Sequence, residues 1–112
     1  MEPTIKKANE ILLIQMKGDI DLVNAEKFRL MVDKQIEKKI FKHLIINLQE
    51  VDFIDSSGLG AILGRYKKVI EQGGQVVIIS PKPQVLRILD LSGFTKIMKV
   101  FPSEEQALGQ LA

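Results

Sequence analysis

The sequence predicts one α/β domain with a mostly parallel, mixed sheet of four to five strands and about four helices. Three observations predict it. Short β-rich apolar runs alternate with segments of helical period, in the order ββαβαβαβα. Turn or cap residues separate these segments, and no linker, low-complexity tract or repeat divides residues 1–112. Strands separated by helices imply parallel pairing through right-handed crossovers. A chain of 112 residues is the size of a single domain. It hides about two thirds of its unfolded surface and needs no disulfide or metal to fold.

The elements follow in order. Ile11 to Met16 reads as a strand closed by Lys17-Gly18, and residues 4–7 can add an edge strand through an Ala8-Asn9-Glu10 turn. Asn24 is a suitable N-cap. Beyond it Ala25, Phe28, Val32 and Ile36 recur at steps of three and four, an amphipathic helix to about Lys39. His43 to Leu48 reads as a buried strand, with a further extended piece from Val51 to Ile54. Leu59, Ile62, Leu63, Tyr66, Val69 and Ile70 keep helical period until Gly73-Gly74. Gln75 to Ile79 is the next strand. Ser80-Pro81 reads as N-cap and first-turn proline for a helix carrying Val85, Leu86, Ile88 and Leu89, closed by Gly93. Ile97 to Phe101 is the last strand. Ser103-Glu104-Glu105-Gln106 matches a capping box opening a terminal helix.

Composition excludes several kinds of chemistry. There is no cysteine, so thiolate zinc sites, iron–sulfur clusters, thiol catalysis and disulfides are out. The only histidine is His43. The net charge is +2, and residues 1–56 carry nine basic against ten acidic groups. With aromatics at 5%, neither the field nor the stacking surface of a nucleic-acid binder is present. The longest apolar runs, such as Ile11–Ile14 and Val76–Ile79, are four residues; a membrane span needs about 20. MEPTIKKANE has no apolar signal core. A cytoplasmic protein without membrane attachment is expected.

In parallel sheets, sites gather at strand carboxyl ends beside helix N-termini. That directs attention to Val51-Asp52-Phe53-Ile54-Asp55-Ser56-Ser57-Gly58-Leu59-Gly60. A strand ends, two hydroxyls follow, and a helix begins. Gly58, Gly60 and Gly64 fall in the opening turns of that helix, each costing about 1 kcal/mol relative to alanine. Missing side chains allow a backbone or a partner to approach closely. A plain reading makes Asp55, Ser56 or Ser57 a helix cap and the glycines packing residues. A functional reading is anion binding at the helix N-terminus, although the spacing is neither a P-loop nor GxGxxG. Another is a serine that accepts phosphate, with about −1.5 to −2 charges and three acceptor oxygens added to the surface. A serine hydrolase is disfavoured: the GxSxG elbow is absent, and His43 begins the strand that ends near Ser56. A receiver-type aspartyl phosphate at Asp52 or Asp55 lacks the acidic pair after the first strand, where only Asp19 and Asp21 stand apart.

Asp55-Ser56-Ser57-Gly58-Leu59-Gly60, continuing Ala61-Ile62-Leu63-Gly64-Arg65-Tyr66-Lys67, resembles the signature of bacterial anti-sigma factor antagonists, which are single STAS domains. The likeness is strongest to the sporulation type. It extends to Gly18-Asp19-Ile20-Asp21, Ile45-Ile46-Asn47-Leu48, Gly73-Gly74 and Leu91-Ser92-Gly93-Phe94. The resemblance implies a STAS fold and no enzyme activity. It places the phospho-acceptor on Ser56. It implies an anti-sigma factor serine kinase as partner, bound by the unphosphorylated chain so that the sigma factor is released, and a PP2C-type phosphatase that reverses the modification. ATP and magnesium would belong to the kinase, leaving this chain without a cofactor. The implied partner-binding residues are Asp21, Asp55, Ser57, Gly58, Leu59, Gly60 and Arg65. Asp55 would orient the hydroxyl or help the partner kinase recognise it, or else cap the helix; Asp21 would flank the site; Gly58 and Gly60 would permit close approach. Arg65 and Lys67 are expected as exposed charges, Tyr66 as core. The alternative within this fold is a STAS module in a stress-signalling complex, or one that binds a small anion or nucleotide.

Overall fold

The computed structural model describes residues 4–111. The elements are β1 (Thr4–Ala8), β2 (Ile11–Ile20), α1 (Leu22–Glu37), β3 (His43–Ile54), α2 (Ser56–Glu71), β4 (Val76–Ile79), α3 (Pro83–Leu91), a 3₁₀ turn (Phe94–Lys96), β5 (Lys99–Phe101) and α4 (Glu104–Leu111). The sheet runs β1-β2-β3-β4-β5. β1 is antiparallel to β2; the other three pairings are parallel. The mixed sheet of five strands with four helices is the predicted class, including the edge strand at the N-terminus.

Every parallel crossover steps the same way along the sheet. Right-handed crossovers then place α1, α2 and α3 on one face. Their apolar stripes, including Phe28, Val32, Ile62, Val69, Val85 and Leu89, bury Leu12, Ile14, Leu44, Ile46 and Ile78. Alternate residues point to the opposite face, since strand side chains have period two. There Leu13, Ile45, Val77 and Ile79 pack under Ala107 and Leu111 of α4. All four residues of β4 are therefore buried, which explains its unbroken apolar run. Ser103 opens α4 as expected, its Oγ accepting from Gln106 N at 3.3 Å.

Several boundaries differ from expectation. β2 does not stop at Lys17-Gly18. Gly18 adopts φ +77°, and the ladder to β3 shifts register there; the glycine serves a bulge and the strand continues to Ile20. Asp21, not Asn24, caps α1, its Oδ1 accepting from Asn24 N at 3.0 Å. Asn24 instead donates through Nδ2 to Asp19 O at 2.6 Å. His43–Leu48 and Val51–Ile54 are one 12-residue strand. Lys82 precedes α3 as N-cap with Pro83 in its first turn. Ser80 sits at φ +56° and donates through Oγ to Pro102 O at 2.9 Å, tying β4 to the loop after β5. β5 begins at Lys99 because Ile97 closes the 3₁₀ turn.

His43 joins the start of β3 to the turn before β4. Its Nδ1 accepts from Gln75 N at 3.0 Å, which requires a neutral ring. Burial holds its pKa below the ordinary value near 6.5; Lys42 adds to this and Glu10 opposes it. The unfolded ring titrates higher than the folded one. Stability from this contact is thus complete above about pH 6.5 and is lost as pH falls through the folded value. The loss is on the order of 1 kcal/mol, one hydrogen bond. An NMR titration of His43 should give a midpoint below 6.5, and His43→Ala should flatten the melting temperature across that interval. A midpoint at or above the ordinary value contradicts this assignment.

Candidate partner-binding site

Two strand ends build the site. The ladder pairs Ile20 with Ile54, so Asp21 and Asp55 leave β2 and β3 side by side, each at the head of a helix. Both residues are extended, with φ −93° and φ −91°. Each carboxylate reaches forward to the helix it opens: Asp55 Oδ1 accepts from Gly58 N at 3.0 Å, just as Asp21 does from Asn24 N. The backbone also links the two corners, Asp55 N donating to Ile20 O at 3.2 Å. Each cap satisfies an otherwise orphaned N–H and sets a negative charge against the positive end of the helix dipole.

Ser56 is the first residue of α2 and is exposed; Ser57 and Leu59 are half-buried and Gly60 is exposed. The two hydroxyls, indistinguishable by residue type, thus differ in access. Asp52, next to them on β3, is ion-paired to Lys82. Leu22, Val23 and Phe53 are 71%, 63% and 51% exposed. Leu22 and Val23 lie beside Asp21, and Phe53 lies three residues before Ser56. This apolar rim was missed in the sequence. Part of its signal was available: Val23 falls off the Ala25-Phe28-Val32 stripe, and Phe53 alternates with buried Ile54.

Two expectations need correction. Gly58 does not present space to a partner. It is buried, and a Cβ there would meet Ile20 O and Ile54 Cγ2 at 2.7 Å. Its missing side chain seats α2 on β2 and β3. Gly60 is different: a Cβ there meets nothing within 4 Å. Arg65, expected as an exposed charge, is 7% exposed. It turns inward because Asp33 of α1 faces it, with Arg65 Nε 3.0 Å from Asp33 Oδ1. Burial lowers the Arg65 pKa, and the Asp33 charge opposes that shift. Lys67 is exposed and Tyr66 packs partly buried against the core, as expected.

No hydrolytic pair forms here. His43 begins β3 and Ser56 follows its end, so the whole 12-residue strand lies between them. What the corner offers is a surface: an accessible serine on a helix N-terminus, two capping aspartates beside it, and an apolar rim. Fold and site together define a small single α/β domain whose candidate site is an exposed corner at two helix N-termini.

The STAS-domain family model matches residues 2–107, and the chain belongs to that family. It is 37% identical over 101 residues to an anti-sigma F factor antagonist of Paenibacillus polymyxa, covering 90% of this chain and 86% of that protein. The fold resembles the solved anti-sigma factor antagonist of Mycobacterium paratuberculosis, with TM-score 0.86 and 22% identity, covering 97% of this chain and 92% of that one. It also resembles the Bacillus cell fate determinant SpoIIAA in its phosphorylated form, with TM-score 0.80 and 24% identity over 98% and 99% of the two chains. Antagonists of this kind are regulatory binding proteins, and the chain is one of them rather than an enzyme. No described helix is long and apolar enough to cross a membrane.

Proposed function

We propose that this chain is a cytoplasmic anti-sigma factor antagonist, one STAS domain over residues 1–112, controlled by phosphorylation of Ser56. Unphosphorylated, it binds an anti-sigma factor that is itself a serine kinase, and the sigma factor is released. The kinase supplies ATP and magnesium and modifies Ser56. A PP2C-type phosphatase reverses the change.

One observation carries the assignment to Ser56: it is the exposed hydroxyl of the pair, at the first position of α2, while Ser57 is half-buried. The relative from Paenibacillus polymyxa supports the role through its name, and a protein of this fold has been solved phosphorylated. The physical effect follows from charge. A phosphoserine brings about −1.5 to −2 charges to a corner that already holds Asp21 and Asp55 and an apolar rim. At the helix N-terminus the group is tolerated in the free chain. Inside an interface it becomes a desolvated, unmatched anion.

The test is intact mass after incubation with candidate anti-sigma kinases and ATP-magnesium, followed by mapping of the modified residue. One phosphate on Ser56 is expected. Phosphate on Ser57 alone would overturn the assignment, and no incorporation from any such kinase would favour the ligand-binding or stress-complex STAS alternative.

A further inference from the structure

A groove of about 320 Å³ lies between the first turns of α1 and α2. Leu22, Ala25 and Arg29 line one wall; Ser57, Gly60 and Arg65 line the other. Arg65 is 7% exposed, yet among the described residues two of its guanidinium nitrogens, Nε and Nη1, have no hydrogen-bond acceptor. Nε sits 3.0 Å from Asp33 Oδ1 as an ion pair, but out of line for a hydrogen bond, and Nη1 is buried with none. Asp33 is shared further. Lys68 Nζ lies 3.2 Å and Arg29 Nη1 3.7 Å from its Oδ2. Arg29 also holds Glu26, which lies on the groove wall.

Three cations thus face two carboxylates, and one positive charge is left over. Buried guanidinium groups are ordinarily fully bonded, because unmet charged donors are costly away from water. A singly charged, planar acceptor entering the groove would balance the charge and meet the guanidinium fork. A phosphate dianion would overshoot the surplus beside Glu26. The groove is continuous with the Ser57–Gly60 surface. We propose that it receives an Asp or Glu side chain of the anti-sigma factor, which enters between α1 and α2 and bonds Arg65. The proposal rests on the reading of that surface as the partner interface.

Ala61 also lines the groove, four residues before Arg65, a spacing at which helical side chains meet. Ala61→Glu supplies the carboxylate from within the chain; Ala61→Gln supplies the same length without charge. In the isolated chain, Ala61→Glu should melt about 2–4 °C above Ala61→Gln. In calorimetric titrations with an anti-sigma factor that binds the wild type, Ala61→Glu should bind about tenfold or more weakly than Ala61→Gln. Equal affinities of the two variants, or equal melting temperatures, would overturn the proposal. So would inorganic phosphate shifting the Arg65 Nε–H resonance while both variants bind the partner alike, which would mark a free-anion site. If the wild type binds no anti-sigma factor but Ala61→Glu still melts higher, the groove stands as a carboxylate site and the functional reading alone fails.

Discussion

Ser56→Glu is expected to weaken binding to the anti-sigma factor kinase by at least about thirtyfold, while Ser56→Ala stays within about threefold of wild type. The reason is the environment of the hydroxyl. Ser56 is exposed in the free chain, so a carboxylate there meets water and the positive end of α2. Melting temperature should change little in either variant. Packed against a partner, the same carboxylate loses its water and faces Asp21 and Asp55, which are committed to capping their own helices. An unpaired charge buried at an interface costs about 2–5 kcal/mol or more, and each 1.4 kcal/mol is about tenfold in affinity. Ser56→Ala removes the phosphate acceptor without adding charge, and should be constitutively active and unmodified. Equal binding by Ser56→Glu and Ser56→Ala would place Ser56 outside the interface.

The second large effect is on the fold. Gly58→Ala should destabilise the chain by about 1–3 kcal/mol even after the gain in helix propensity. The new Cβ would lie 2.7 Å from a backbone oxygen, Ile20 O, and no side-chain rotation relieves that contact. Either α2 lifts from the sheet or β2 shifts. For a domain of this size that is a fall of roughly 5–20 °C in melting temperature. Gly60→Ala, two residues on, meets nothing within 4 Å and should stabilise by about 0.4–1 kcal/mol. If Gly60 lets the partner approach, the same variant should bind it less well. Stability and binding then separate across two glycines only two residues apart. A Gly58→Ala chain as stable as Gly60→Ala would contradict the packing described for α2.

The element order and the site loop were legible because both rest on local signals. Period-two and period-3.6 patterns, the Ser103 cap and the Gly73-Gly74 stop all act within a few residues. The misplaced boundaries came from repeated local signals. Asp21 and Asn24 are both good caps, and the choice between them depends on β2 continuing past Gly18 through a bulge set by its pairing with β3. Two prolines, Pro81 and Pro83, compete for the start of α3, and the contact from Ser80 to Pro102 decides against the first. Arg65 was misread for a different reason. Its burial depends on Asp33, 32 positions earlier on α1, and a residue's own neighbours in sequence carry no trace of that partner. Gly58 and Gly60 look alike in sequence, and only the position of Ile20 beneath the first distinguishes them.

The central claim is that phosphate on Ser56, without refolding, switches off binding to the anti-sigma factor. The direct measurement is calorimetric titration of that partner with one preparation of the chain before and after stoichiometric phosphorylation, with amide NMR spectra of both forms. The account predicts affinity lower by at least about thirtyfold after modification, with shifts confined to the residues around Ser56 and the first turns of α1 and α2. Unchanged affinity, or a loss accompanied by shifts throughout the sheet, would contradict it.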